Sequence, residues 1–109
     1  MAEGAQYGLR IDANGLAILS GVMRLASQDA YEHEFAAVRE RLVRDSSLDI
    51  DLTGVQFMNS SGIRWLCVLV LEAKELGAPA SIRGTSAVAW QVKSLPGLRA
   101  IYDRLTILA

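Results

Sequence analysis

Residues 59–62, Asn-Ser-Ser-Gly, stand directly before a long apolar stretch. Asn59, Ser60 and Ser61 carry the side-chain oxygens that open helices. A serine in the first turn of a helix lies among backbone N–H groups that have no partner, at the positive end of the helix dipole. A phosphate attached there is held by the same groups that bind free phosphate at helix N-termini. Phosphorylation at such a place adds about −1.5 to −2 charges without melting the helix. The same residues also make good caps for a helix with no further purpose. Other groups offer less chemistry. Ser60 as a nucleophile would need an activating base, and the one histidine, His33, lies between Glu32 and Glu34 in a different segment. With a single cysteine, Cys67, there is no metal-ligand spacing and no disulfide within the chain. Asp49 and Asp51 alternate outward along a strand with no apolar pocket to raise either pKa. A Gly-rich phosphate loop is missing. The expectation is a protein without catalytic residues, metal or cofactor.

The elements that must position this motif follow from periodicity. Tyr7–Asp12 and Leu16–Ser20 are short apolar-rich runs around Ala13-Asn14-Gly15, and Asn-Gly suits the positive φ of a tight hairpin turn. Over Asp29–Arg44, Tyr31, Phe35, Val38 and Leu42 recur at spacings of three and four, which predicts an amphipathic helix capped by Ser27 or Asp29. Leu48–Leu52 alternates apolar and acidic residues like a strand, and a turn is expected at Thr53-Gly54 before Val55-Gln56-Phe57. The motif then opens a second helix running to about Leu76, ended by Gly77 and Pro79. Ala80–Arg83 reads as a strand. Gly84-Thr85-Ser86 reads as the cap of a third helix over Ala87–Leu95, stopped by Pro96-Gly97. Leu105–Leu108 finishes the chain as strand or helix. The order β-β-α-β-α-β-α-β predicts an α/β domain, with a mixed four- to five-stranded sheet covered by three or more helices. Leu42, Ile50, Leu52, Ile63, Leu66, Val70 and Ile82 are its expected core.

Residues 51–63, Asp-Leu-Thr-Gly-Val-Gln-Phe-Met-Asn-Ser-Ser-Gly-Ile, resemble the signature of the STAS domain, the fold of bacterial anti-sigma factor antagonists. In that signature a strand ending D-L-[ST]-G-V leads through an apolar pair to D-S-S-G-[LI]. The flanks agree, with a leading hairpin, a helix before the strand, and Ser86-Ala87-Val88 where the family often has S-x-x-V. The resemblance spans nearly the whole chain, as one STAS-like domain over residues 1–109 with a loose N-terminus over 1–6. There are two departures. Asn59 stands where the family has an acidic residue, and Gly21-Val22-Met23-Arg24-Leu25 lacks the Asp that commonly follows the family's Gly. The resemblance implies a non-enzymatic regulatory module that binds a protein partner. That partner would be a kinase-type anti-sigma factor that phosphorylates the first serine of the pair, here Ser60, with a phosphatase to reverse it. Asn59, Ser61 and Gly62 then support the motif, Ser61 as a structural partner and Gly62 by keeping space open beside the site. Arg64, one turn on, is placed to pair with a phosphate on Ser60. A second reading within the family is a constitutive STAS subunit of a transport or signalling complex, with the serine pair used only as a cap.

The helix after the motif is apolar nearly all round, which means full burial or an interface. Ile63, Leu66, Cys67, Val70 and Ala73 form one stripe, assigned to the core. Trp65, Val68, Leu69 and Leu76 lie largely opposite, among Arg64, Glu72 and Glu75. Trp65 either packs under the third helix or stands at the surface as an anchor for a partner. On the second assignment the partner docks over the helix start and the loop after the second strand, at Met23 and Arg24.

Composition sets the outer limits. A chain of 109 residues has the size of one domain, and 51% hydrophobic against 21% charged residues gives it a core. A formal net charge of −1 leaves no basic face for nucleic acid. The longest apolar run, Trp65–Leu71, falls well short of the roughly 18 residues that cross a bilayer. The chain does not open with a basic region followed by an apolar stretch, so no membrane insertion and a cytoplasmic location are expected.

Overall fold

The computed structural model describes residues 6–108. The Asp12–Leu16 turn starts the sheet. The Asp12 carboxylate accepts hydrogen bonds from the backbone N–H groups of Asn14 and Leu16, both at 2.9 Å. Gly15 takes φ 84°, the left-handed region that glycine occupies without steric cost. Arg41 donates to the carbonyls of Asn14 and Gly15, so the turn is tied down from outside. It joins strand β1 (Tyr7–Ile11) antiparallel to β2 (Ala17–Met23). The loose N-terminus expected over 1–6 lies outside the described residues except for Gln6, whose carbonyl accepts from the Val22 N–H at 2.8 Å.

The single helix expected over Asp29–Arg44 is two helices, α1 (Gln28–Glu34) and α2 (Ala36–Asp45). Ser27 caps α1 by accepting from the Ala30 N–H. The chain turns at Phe35 while its ring stays buried, with ring centroids 5.7 Å from Tyr7, 6.1 Å from Tyr31 and 5.4 Å from Trp65. The apolar spacing therefore runs through a break that it does not reveal. Strand β3 runs unbroken over Leu48–Met58, so Thr53-Gly54 is not a turn. Asp51 accepts from the backbone N–H and the hydroxyl of Thr53 at 2.8 and 2.6 Å, which is turn chemistry used inside a strand. The result is a bulge: Ile18 faces Asp51, but Ser20 faces Gly54, and a second shift follows at Gly21–Val22.

Helix α3 (Ser60–Leu76) leads to β4 (Ala80–Arg83), then α4 (Ala89–Ser94), a 3-10 turn over Pro96–Ala100, and β5 (Thr106–Leu108). The chain thus finishes as a strand. Val88 occupies the N-cap of α4 without a side-chain bond, so Gly84-Thr85-Ser86 does not cap it. The sheet order is β1-β2-β3-β4-β5, parallel except for β1. One face, with Leu19, Leu48, Ile50, Leu52 and Ile82, joins a single buried cluster with Leu42, Leu66, Val70, Leu95 and Leu98 from the helical segments. The other face carries Ser20, Asp49, Asp51, Ser81 and Arg83. The domain is a two-layer α/β structure. Of the residues assigned to the core, Ile63 and Cys67 are half-buried rather than buried.

Side chains of the helical segments tie that layer to the sheet and its helices to one another. Strand β4 pairs with β3 only over Leu48–Asp51, which leaves later β3 carbonyls without a strand partner. Buried Gln91 donates Nε2 to the carbonyls of Leu52 and Val55 at 2.6 and 3.1 Å, and Trp90 Nε1 donates to Val55 at 2.9 Å. Arg39 on α2 meets Glu72 on α3 through two bonds of 2.7 and 2.8 Å. The hydrogen bonds from Arg39 hold the Glu72 carboxyl below its ordinary range.

Two tests follow from these contacts. Gln91→Leu keeps the volume, removes the bonds and should cost about 1–3 kcal/mol in urea unfolding; a loss under about 0.5 kcal/mol would mean the carbonyls find water. Because the folded pKa of Glu72 is depressed, its contribution is present at neutral pH and is lost as pH falls through that value. Exposure and screening keep that contribution under about 1 kcal/mol. Glu72→Gln should therefore be slightly less stable than wild type at pH 7, and the difference should close on titration below the ordinary glutamate range.

Candidate functional site

The motif is built on Asn59, which ends β3 and caps α3. Its backbone is extended, at φ −76° and ψ 175°. Its Oδ1 accepts from the Gly62 N–H at 3.1 Å and from the Tyr31 hydroxyl at 2.7 Å. Its Nδ2 donates to the Leu25 carbonyl at 2.9 Å, and its backbone N–H donates to the Met23 carbonyl at 3.1 Å. Both ends of the amide are used, and reversing it would set oxygen against carbonyl and N–H against N–H. An aspartate could cap the helix and accept from Tyr31, but an ionised carboxylate has no proton to give Leu25. That is the physical content of the departure at position 59. The Tyr31 hydroxyl also lies 3.0 Å from the Met23 carbonyl, so its one proton is shared between two acceptors. Burial pushes the Tyr31 phenol above its ordinary pKa, which keeps it a donor.

Tyr31 also decides what Gly62 must be. A Cβ at 62 would stand 2.5 Å from Met58 Cγ and 2.7 Å from the tip of the Tyr31 ring. The space beside the motif, expected to be open, is filled. Trp65 extends the same cluster: its ring stacks on Tyr31 at 5.8 Å and 25°, and only 1% of the residue is exposed. Trp65 is thus buried rather than exposed as an anchor for a partner, and it lies in the aromatic cluster with Tyr31 and Phe35. Met23 is fully buried as well and is likewise unavailable as a contact. The buried arc of α3 is Gly62, Trp65, Leu66, Leu69, Val70 and Ala73, while Ile63 and Cys67 sit half-buried at its margin. On a helix apolar nearly all round, two overlapping stripes satisfy the same spacing, and the rings of α1 select the one containing Trp65. Its Nε1 has no hydrogen-bond partner among the described residues.

What remains exposed is a small set of groups. Ser60 is exposed at the first position of α3, and its hydroxyl makes no hydrogen bond among the described residues. The cap is Asn59 rather than the serine pair. Ser61 is half-buried and Arg64 is exposed. Arg24, exposed in the loop that Asn59 grips, holds its guanidinium 4.9 Å from the centre of the Phe57 ring, which is 38% exposed. Phe57 thus stands beside the motif, at the end of β3. No sequence signal marks it, because its outward turn depends on the second bulge in β3. His33 is exposed on α1 and forms no bond to Ser60. Partial burial raises the Cys67 thiol above its ordinary pKa. Among the described residues no three His, Cys, Asp or Glu side chains converge as metal ligands would. The chain matches no protein-family model and no curated protein.

The packing at Gly62 makes a direct test. Gly62→Ala must displace Met58 and Tyr31 and should lower stability by about 1–3 kcal/mol in urea unfolding. An unchanged midpoint would mean that Tyr31 is not held against the helix start.

Proposed function

We propose that this chain is a STAS-type regulatory domain, without enzymatic activity, that binds a protein partner and releases it when Ser60 is phosphorylated. The observation that carries the reading is an exposed Ser60 at the start of a 17-residue helix whose cap is already supplied by Asn59. A serine needed for the cap would have to be broken away before it could be modified; this one is not engaged. Its phosphate would gain the helix dipole, the first-turn N–H groups and Arg64 one turn along. The fold therefore tolerates the modification, and its effect falls on binding, where a doubly charged group must be desolvated or repelled.

With Trp65 and Met23 buried, the exposed Arg24–Phe57 pair is the part of this surface that meets the partner. The resemblance supports a kinase-type anti-sigma factor as that partner, a phosphatase as the reversing enzyme, and partner switching in the bacterial cytoplasm as the setting. Nucleic acid is not a partner on this reading. No helix among the described residues is long and apolar enough to cross a membrane.

The test uses the native partner recovered with the protein. Ser60→Asp should keep the melting temperature near wild type and lose the partner. Ser60→Ala should stay bound and no longer respond to the kinase. If both variants bind like wild type, and mass spectrometry finds no phosphate at Ser60 in protein from native cells, the constitutive-subunit reading replaces this one.

A further inference from the structure

A cleft of about 270 Å³ runs between α1 and α3, with Arg39 of α2 at its edge. Its apolar lining is Val68 and Leu71, which are 40% and 45% exposed while Trp65, Leu66, Leu69, Val70 and Ala73 of α3 are buried. Four carboxylates line it, Asp29 and Glu32 from α1 and Glu72 and Glu75 from α3, against the single guanidinium of Arg39. Arg39 is committed to Glu72 by two bonds, so it braces the wall and leaves the other three carboxylates without a salt bridge among the described residues. Ser60, Arg64, Val68, Leu71 and Glu75 follow at steps of four, four, three and four along α3, which places them on one helical face over about 22 Å.

We infer that the α1–α3 cleft is a docking groove for a cationic amphipathic helix of the partner protein. Apolar residues at helical spacing would lie on Val68 and Leu71, with Lys or Arg against Asp29, Glu32 and Glu75. The carboxylate rim disfavours an anionic membrane surface as the occupant. The groove shares a helix face with Ser60, but its first lining residue on α3, Val68, stands about two turns further on, so a partner helix laid in it is seated apart from the modified serine. The inference rests on the reading of the chain as a partner-binding domain, but it does not require phosphorylation.

The probe is a synthetic Leu/Lys peptide that forms an amphipathic helix, titrated into the full chain while backbone amide shifts are followed. Shifts should be confined to α1 and to Val68–Leu76, and affinity should fall with added salt. Glu32→Lys combined with Glu75→Lys, and separately Leu71→Ser, should each weaken binding by about tenfold or more with the melting temperature retained. A peptide of the same composition with its leucines scattered should bind weaker by a similar factor. Shifts on another face, equal binding of the scattered peptide, or affinity indifferent to these substitutions would overturn the inference. Self-association abolished by Leu71→Ser would overturn it too, in favour of a second copy of this chain. Ser60→Asp should leave the peptide affinity within about twofold, so failure of the groove and failure of the Ser60 switch give different results.

Discussion

The side-chain amide of Asn59 is the contact on which the arrangement around the motif depends. It closes the first turn of α3, takes the proton of Tyr31 and gives one of its own to Leu25, while its backbone holds Met23. A half-buried position that needs both a donor and an acceptor can be satisfied by an amide and not by an ionised carboxylate. Each such bond contributes about 0.5–1.5 kcal/mol net, and leaving its partner unpaired costs more. The start of the helix, the end of β2 and the inner side of α1 are thereby joined at one residue. Ser60 stands immediately beyond that junction, held in place by its backbone and free at its hydroxyl.

The aromatic cluster extends this junction into the core. Tyr31 lies over Gly62, Trp65 stacks on Tyr31, and Phe35 closes against both Trp65 and Tyr7. Large rings in such contacts add about 0.5–1.5 kcal/mol per pair beyond the area they bury. The rigidity falls beneath the motif, and the exposed groups above it are few: Ser60, Arg64, Arg24 and Phe57. On the proposed reading, a phosphate on Ser60 would change the charge of this surface without changing its shape.

Much of the fold is legible in the sequence where a local rule acts alone. The end of α3 is marked by Gly77, at φ 65°, with the N–H groups of Gly77 and Ala78 closing back on Lys74 and Ala73. The strand Ala80–Arg83 and the Asn14-Gly15 turn stand where their residues put them. Three readings failed because a local signal is overridden by a contact distant in sequence. Asp51-Thr53-Gly54 has the chemistry of a turn, but pairing with β2 stretches it into a bulged strand. Phe35 keeps the apolar period while the helix around it breaks. Trp65 fits either of two stripes, and only the position of Tyr31, 34 residues earlier in the sequence, selects the inner one. Asn59, Ser60 and Ser61 all have the composition of a cap, and Asn59 is the one that takes the position.

Which side chain closes the helix can be measured directly, without a partner, by comparing the urea stability of Asn59→Ala with that of Ser60→Ala. Asn59→Ala removes the cap and the contacts to Tyr31 and Leu25, and should cost about 2 kcal/mol or more. Ser60→Ala removes a hydroxyl that holds nothing and should stay within about 0.5 kcal/mol of wild type. Equal losses from the two substitutions would contradict the account, because Ser60 would then be part of the cap and would not be free to be modified.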